Sequence, residues 1–168
     1  MILAFDTYYF EDKARTIALQ FENWNDEQES LIFDETLSGI SEYVSGEFYK
    51  RELPCILSLL KQIDLTNCEA IIIDGFVVLD DIGKLGLGGY LHEALEENIP
   101  IIGVAKNNFS QIETLKKAVL RGESKKPLYI TAKGVDLTVA ADKIKNMNGE
   151  YRIPNILKRV DAIGRDNI

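Results

Sequence analysis

Three acidic residues in this sequence stand where a folded chain could bring them together around a metal ion. Asp6 lies in the middle of an apolar segment, Glu52 begins an amphipathic one, and Asp74 closes an apolar run. An acid in mid-strand is costly to bury without a partner. Mg²⁺ is one such partner, because it prefers hard oxygen ligands and is often held by a few carboxylates and a substrate phosphate. A metal held there could promote phosphodiester hydrolysis by activating water. Each acid alone is explained more simply as a surface carboxylate or a loop cap.

The elements that would carry these acids are predicted from the spacing of the apolar residues. Three segments rich in β-formers open the chain and predict an antiparallel meander. Its strands are Ile2–Phe10, Arg15–Phe21 and Ser30–Leu37. From Glu52 on, apolar residues recur every three or four positions, which predicts a helix over about 51–63. Pro54 would lie near the start of this helix, where its missing amide hydrogen is tolerated.

Strands and helices alternate after the meander. Apolar runs and helical spacing predict strands at 70–74, 101–105 and 128–131 and helices at about 85–97, 137–145 and 154–163. Ser110 and Glu113 form a capping box that predicts a further helix over 111–119. The alternative for residues 118–121 is a hairpin with the last of these strands. The order predicts an α/β fold with a mixed sheet, unlike the uniform alternation of a Rossmann domain.

Length and composition limit the class of protein. The 168 residues, 46% of them hydrophobic, suffice for a single domain covering residues 1–168. No apolar run approaches the roughly 20 residues of a membrane helix, and the first residues lack the basic segment of a signal peptide. Cys55 and Cys68 are too far apart for a Cys-x-x-Cys motif and suit a reducing compartment. We therefore expect a cytoplasmic protein without membrane contact.

The net charge of −8 argues against a polyanionic partner, since nucleic-acid-binding proteins usually present basic surfaces. The charge is unevenly distributed, however. Residues 1–100 hold 6 Lys/Arg against 20 Asp/Glu, whereas residues 101–168 hold 13 against 7. A cation-binding cluster of carboxylates next to a basic C-terminal third would produce this asymmetry. Ordinary solvated surface of both signs explains it equally well.

Four stretches of the sequence, in this order, resemble the endonuclease V family. They are Tyr43-Val44-Ser45-Gly46 with Arg51-Glu52-Leu53-Pro54, then Ile73-Asp74-Gly75, Pro100-Ile101-Ile102-Gly103-Val104-Ala105-Lys106, and Tyr151-Arg152-Ile153-Pro154. They are similar to the family's Pro-Tyr-Ile-Pro-Gly wedge and Arg-Glu-x-Pro helix start, and to its Val-Asp-Gly-His-Gly, Pro-Thr-Ile-Gly-Val-Ala-Lys and Tyr-Arg-Leu-Pro motifs. Each motif alone is modest. Their order and spacing over about residues 1–165 make the resemblance fairly specific.

The resemblance implies an RNase H-like fold and a role in nucleic-acid repair. It implies hydrolysis of DNA or RNA one nucleotide 3′ to a deaminated base such as inosine, dependent on Mg²⁺ or Mn²⁺. Asp6, Glu52 and Asp74 would be the metal ligands. Asp161 would be a fourth, more variable residue of the metal site, and Lys106 would contact phosphate beside it.

The resemblance also implies contacts with the substrate. Tyr43, in the motif that ends at Gly46, would be the ring inserted where the damaged base has been extruded, since a base is flipped out before it is read. Glycine backbone would line the base pocket, because a missing side chain permits close approach. These glycines are Gly75, Gly86 and Gly88.

The sequence departs from the family pattern in several places. Phe76-Val77 replaces the His-Gly of the family's strand end, so an apolar ring stands where a polar one would lie near the metal. The wedge has lost both prolines, which predicts a less rigid loop, and Glu42 lies beside Tyr43. The segment that precedes the family's first catalytic strand has no counterpart here. The single histidine, His92, falls in the helix after the glycines and is expected to be non-catalytic.

Three hypotheses follow from these residues. The first is a metal-dependent endonuclease of the endonuclease V type, with nucleic acid as its partner and a monomer favoured. The second, which the departures favour, is a catalytically silent relative that binds nucleic acid or protein. The third is a small-molecule phosphate-ester hydrolase that uses the same acids. The glycine-rich stretch 83–89 does not have the spacing of a dinucleotide-binding motif.

Overall fold

The computed structural model describes residues 1–40 and 48–166. Its strands are β1 (Ile2–Phe10), β2 (Lys13–Phe21), β3 (Leu31–Ser38), β4 (Ala70–Asp74), β5 (Ile101–Ala105), β6 (Lys117–Val119) and β7 (Leu128–Lys133), and its helices are α1 (Phe48–Leu60), α2 (Leu87–Ala94), α3 (Leu137–Lys145) and α4 (Asn155–Arg165). β1, β4, β5 and α3 have the predicted bounds. The other predicted elements that form are displaced by up to three residues at their ends.

All seven strands belong to one mixed sheet in the order β3-β2-β1-β4-β5-β7-β6. The first three strands form the predicted antiparallel meander. β4 joins β1 in parallel, β5 joins β4 in parallel, and β7 joins β5 antiparallel. The predicted α/β fold with a mixed sheet is therefore confirmed. Because β1, β4 and β5 run in the same direction, their carboxyl ends lie at one edge of the sheet, and we call this the carboxyl edge.

The sheet is buried on both faces, which explains the unbroken apolar run of β4. Ile72 faces a core that includes side chains of α3 and α4, whereas Ile71 and Ile73 face a core shared with α1 and α2. Each fully buried side chain of this size contributes roughly 1.5–3 kcal/mol. Helices on both sides therefore fix the middle strands, and with them the acids at their ends.

The helix predicted over 111–119 is wrong, and the alternative hairpin is correct. β6 pairs antiparallel with β7. The amide hydrogens of residues 113–115 all donate to Asp81 Oδ1, at 2.9 to 3.2 Å. A carboxylate from another loop thus satisfies the amides that a helix start would leave open, and the capping box has no helix to cap.

Helix α1 begins three residues before the predicted start. Pro54 therefore lies inside the helix and not in its first turn. Its side chain is on the exposed face, where water can satisfy a backbone group that loses its helical partner. No helix in the described ranges is long and apolar enough to cross a membrane.

Candidate metal and nucleic-acid site

Asp6 and Asp74 lie side by side on neighbouring parallel strands. The register of β1 and β4 pairs Ala4 with Ile72. Two residues further along each strand, the two aspartates reach the same level at the carboxyl edge. Both line one pocket, so the strand pairing alone brings together two acids that are 68 positions apart in the sequence.

The same pocket collects two more charged residues. Asp161 comes from α4, which packs against β1 and β2, and Lys106 comes directly after β5. Apolar side chains of β1, β4, β5, β7 and α4 form the wall behind these groups. A charged rim on an apolar wall is typical of a small-ligand or active site.

Glu52 is buried close to these aspartates. Only 4% of the residue is exposed. Burial raises the pKa of Glu52 well above its usual range, and the negative charges of Asp6 and Asp74 raise it further, although a hydrogen bond with Thr7 acts in the opposite direction. The three acids predicted from the sequence are therefore near enough for their charges to act on one another.

Asp6 and Asp161 are joined by a hydrogen bond between their carboxyl groups. Burial, followed by the charge of Asp74 and then the bond with Asp161, raises the pKa of Asp6 to about 7. Partial burial also acts to raise the pKa of Asp161, but its hydrogen bonds with Asp6 and Arg165 outweigh burial and hold the pKa below the usual value. Asp6 is therefore the protonated partner and donates this hydrogen bond, and the ionised carboxylate of Asp161 accepts it.

Asp74 lies at the open side of the pocket and is exposed to solvent. The protein atoms around its carboxyl group raise its pKa by desolvation, the charge of Lys106 lowers it, and the charge of Asp161 raises it again. Since Asp74 keeps contact with water, we draw no stability figure from this shift. Lys106 is the cation of the pocket that acts most directly on Asp74.

The chemistry of this donor set fits a divalent cation. Carboxylate oxygens are hard ligands of the kind that Mg²⁺ and Mn²⁺ prefer, and the acids raise one another's pKa, as expected of negative charges that lack sufficient counter-charge. Within residues 1–40 and 48–166, however, no three Asp, Glu, His or Cys side chains are arranged as a finished metal site. The suitable donor chemistry and the lack of a finished metal site among the described residues agree if Asp6 must first lose its proton and its hydrogen bond with Asp161. Its oxygens could then turn to a cation.

The raised pKa of Asp6 predicts that the metal-free protein loses stability as the pH rises. The unfolded aspartate has a pKa near 3.8 and the folded one about 7, so the folded state holds more protons in this window, and stability falls from about pH 4 to above pH 7. We expect urea unfolding in EDTA to show roughly 3 kcal/mol less stability at pH 8 than at pH 5. Asp6→Asn, which mimics the protonated form, should remove the part of this pH dependence that is due to Asp6 and leave the part due to Glu52 and Asp74, whose pKa values are also raised. An unchanged profile in Asp6→Asn would contradict this assignment.

The backbone around the pocket is held by two arginines that were not among the predicted site residues. Arg152 donates hydrogen bonds to the carbonyl oxygens of Lys106, Lys126 and Pro127. Arg121, 5% exposed, donates to five carbonyl oxygens. These belong to Lys145, Met147, Gly149, Tyr151 and Arg152. Nothing local in the sequence distinguishes Arg121 from a surface arginine, because all its partners are 24 or more positions away.

The predicted substrate contacts are only partly visible. Tyr43 and Gly46 lie outside the described residues. Gly75 has a φ of +126°, a conformation that L side chains rarely adopt, so glycine is required there. A side chain on Gly86 or Gly88 would lie 2.6 Å from Phe76 O or Val77 Cγ2. These two glycines therefore permit close packing within the protein, and their contact with a base stays a prediction.

Phe76 and His92 occupy different edges of the sheet. The ring of Phe76, two residues after Asp74, packs against Phe109 with centroids 5.8 Å apart. His92 is buried, and neither of its ring nitrogens has a hydrogen-bond partner. It lies beside Gly134 and Pro100, where β5 begins. His92 is thus at the edge opposite to the acids.

A comparison with known proteins identifies the family of this chain. A sequence model of the family Endonuclease V matches residues 2–162. The chain belongs to the endonuclease V family. A search of curated protein sequences found no match.

Solved structures of endonuclease V share the fold. The chain matches Ciona intestinalis endonuclease V, solved in complex with a 24mer DNA containing an inosine followed by a ribo-adenosine, at a TM-score of 0.80 and 19% identity over 98% of this chain and 84% of that one. It matches human endonuclease V at 0.73 and 22% identity, covering 98% and 82%. The Streptomyces avermitilis protein gives 0.73 and 22%, covering 98% and 79%. The expected RNase H-like architecture is confirmed. Membership of the family makes the protein a nuclease of the hydrolase class.

Proposed function

We propose that this protein is a divalent-metal-dependent endonuclease that hydrolyses the phosphodiester bond 3′ to inosine in DNA or RNA, in nucleic-acid repair. The observation that supports the proposal is that Asp6 and Asp74 line one pocket at the carboxyl edge of an endonuclease V fold and that their charges act on the buried Glu52. The match to a protein solved with inosine-containing DNA supports the choice of substrate.

Each charged residue of the site has a role that follows from its position. Asp6, Glu52 and Asp74 would hold Mg²⁺ or Mn²⁺, which supplies charge stabilisation and lowers the pKa of a bound water. Lys106, exposed on the rim next to Asp74, would neutralise a phosphate of the substrate. Asp161 accepts a hydrogen bond from the protonated Asp6 in the free protein, and this bond would have to open before Asp6 could bind a cation.

The basic residues 101–168 would face the phosphates on the side of the pocket formed by Lys106 and α4. We propose that the enzyme works as a monomer, as a single domain of residues 1–168, in a reducing compartment such as the cytoplasm. Both cysteines are free, and Cys55 is buried, which is compatible with this compartment.

A catalytically silent nucleic-acid-binding or protein-binding module is the second candidate. Phe76, whose apolar ring packs against Phe109, favours it, because this residue stands two positions after Asp74, where the family resemblance implies a polar ring. A silent module has no need to bind a divalent metal at these acids. Metal binding therefore separates the two candidates.

The test combines calorimetry with a cleavage assay. We expect Mg²⁺ or Mn²⁺ to bind at pH 8 with release of protons, and a labelled inosine-containing oligonucleotide to be nicked 3′ to the inosine in Mg²⁺ but not in EDTA. DNA and RNA versions of the same oligonucleotide identify the preferred substrate. Binding of nucleic acid without metal binding or nicking would support the silent module, and metal binding with turnover of only small phosphodiesters would overturn both.

A further inference from the structure

Two tyrosines at the carboxyl edge form a stacked pair that the proposed reaction does not use. The rings of Tyr49 and Tyr90 have centroids 3.9 Å apart and an interplanar angle of 18°. Both residues are half-exposed. They occupy the first turns of α1 and α2, so the pair joins the starts of two helices.

Both helices start beside the acids. Tyr49 precedes the buried Glu52 by three residues, nearly one helical turn, on α1. At the start of α2, Gly86 and Gly89 donate backbone hydrogen bonds to Val77 O, three residues after Asp74. The pair therefore lies between the helix that carries Glu52 and the loop that follows Asp74, next to the pocket and outside it.

The geometry of the pair suits a nucleobase better than it suits two phenols. Aromatic side chains in proteins prefer offset or edge-on contacts with centroids about 4.5–7 Å apart, whereas 3.9 Å at 18° approaches the face-to-face stacking of bases. The half exposure of both residues leaves part of the stack open to a further ring.

We propose that the Tyr49–Tyr90 pair is a stacking platform for an unpaired nucleobase of the nucleic acid, next to the base being processed. Aromatic stacking of this kind is independent of base identity, because every base has a π-face. The platform would therefore hold the single-stranded flank of the substrate and not read the lesion. This inference rests on the proposed function, because its ligand is the substrate of the neighbouring acids.

The test measures binding and stacking separately from cleavage. A short single-stranded DNA with one inosine carries 2-aminopurine at successive positions on either side, and binding is followed in EDTA so that no cleavage occurs. We expect the fluorescence of one flanking position to be quenched by the protein. The double variant Tyr49→Ala/Tyr90→Ala should lose this quenching and bind about 10- to 100-fold more weakly. The matched control Tyr49→Phe/Tyr90→Phe should keep both, because it retains the rings.

Each outcome decides the question. Unchanged affinity and quenching in the alanine variant would overturn the platform while leaving the nuclease proposal standing. Equal losses in the phenylalanine and alanine variants would also overturn it, since hydroxyl groups and not rings would then bind. Failure of the unmodified protein to bind the oligonucleotide would overturn the platform, whereas the cleavage assay in Mg²⁺ tests the proposed function separately. If the alanine variant does not fold by circular dichroism, Tyr49→Leu/Tyr90→Leu keeps an apolar contact between the two helices without a π-face and should show the same loss.

Discussion

Asp74→Asn is expected to abolish Mg²⁺-dependent cleavage of inosine-containing nucleic acid, with a fall in rate of about a thousandfold or more. The amide keeps the shape of the side chain but removes its charge and one of its two ligand oxygens. Loss of several kcal/mol of metal-based stabilisation corresponds to this factor. The measurement is the single-turnover rate of nicking at saturating protein. Asp142→Asn, on the exposed side of α3, removes an acid far from the pocket and should leave the rate unchanged.

The same substitution should not weaken the fold. The charge of Asp74 raises the pKa values of Asp6 and Glu52, which means that the ionised acids repel one another. Removing one charge relieves this repulsion at pH 8, so Asp74→Asn is expected to unfold at a higher urea concentration than the unmodified protein in EDTA. An inactive and more stable variant would indicate a functional site held at a cost in stability. Retained cleavage in Asp74→Asn would remove this acid from the catalytic site.

We expect Arg121→Met to lower the free energy of unfolding more than the other substitutions that we propose. The guanidinium is buried and donates to five carbonyl oxygens between Lys145 and Arg152. Methionine occupies similar volume but donates nothing, so several buried carbonyls lose a charge-assisted partner. Each unsatisfied group costs about 1–3 kcal/mol, and we expect a total loss of about 3 kcal/mol or more in the free energy of unfolding, measured by urea denaturation.

Two further variants make this prediction specific. Lys145→Met removes an exposed cation from the same neighbourhood and should change stability by no more than about 0.5 kcal/mol. Arg121→Lys should restore little, because an ammonium group has three donors in a compact head and cannot reach carbonyls arranged around a planar fork. A small effect of Arg121→Met, or full rescue by lysine, would show that the segment 145–152 holds itself without the guanidinium.

Arg121 also connects stability with the site. The segment that it holds ends at Arg152, whose side chain bonds the carbonyl of Lys106, and leads directly into α4, which carries Asp161. A partly folded Arg121→Met variant should therefore lose phosphate contact at Lys106 before it loses the strand-end acids, which depend on β1 and β4. Weaker oligonucleotide binding together with unchanged metal binding would show that the phosphate contact is lost before the acids are displaced.

The sequence alone was sufficient for the elements whose local pattern is unambiguous. The alternation and β-branched composition of the first strands, the apolar runs 70–74 and 101–105, and the spacing of α3 each depend on side chains within the same segment. The three acids Asp6, Glu52 and Asp74 could also be selected in advance, because an acid within or directly beside a buried apolar segment is chemically conspicuous. The family motifs added Asp161 and Lys106.

Only the tertiary structure decided the features that depend on partners distant in the chain. Residues 113–115 have the local pattern of a helix start, but Asp81, more than 30 positions earlier, binds their amides. The buried arginine and the stacked tyrosines are equally invisible to local pattern, since Arg121 is defined by carbonyls of another loop and Tyr49 by a ring on another helix. The hydrogen bond between Asp6 and Asp161 likewise exists because α4 packs on β1. Hydrogen bonds and ring contacts of this kind are selected by three-dimensional proximity, and the order of residues does not encode them segment by segment.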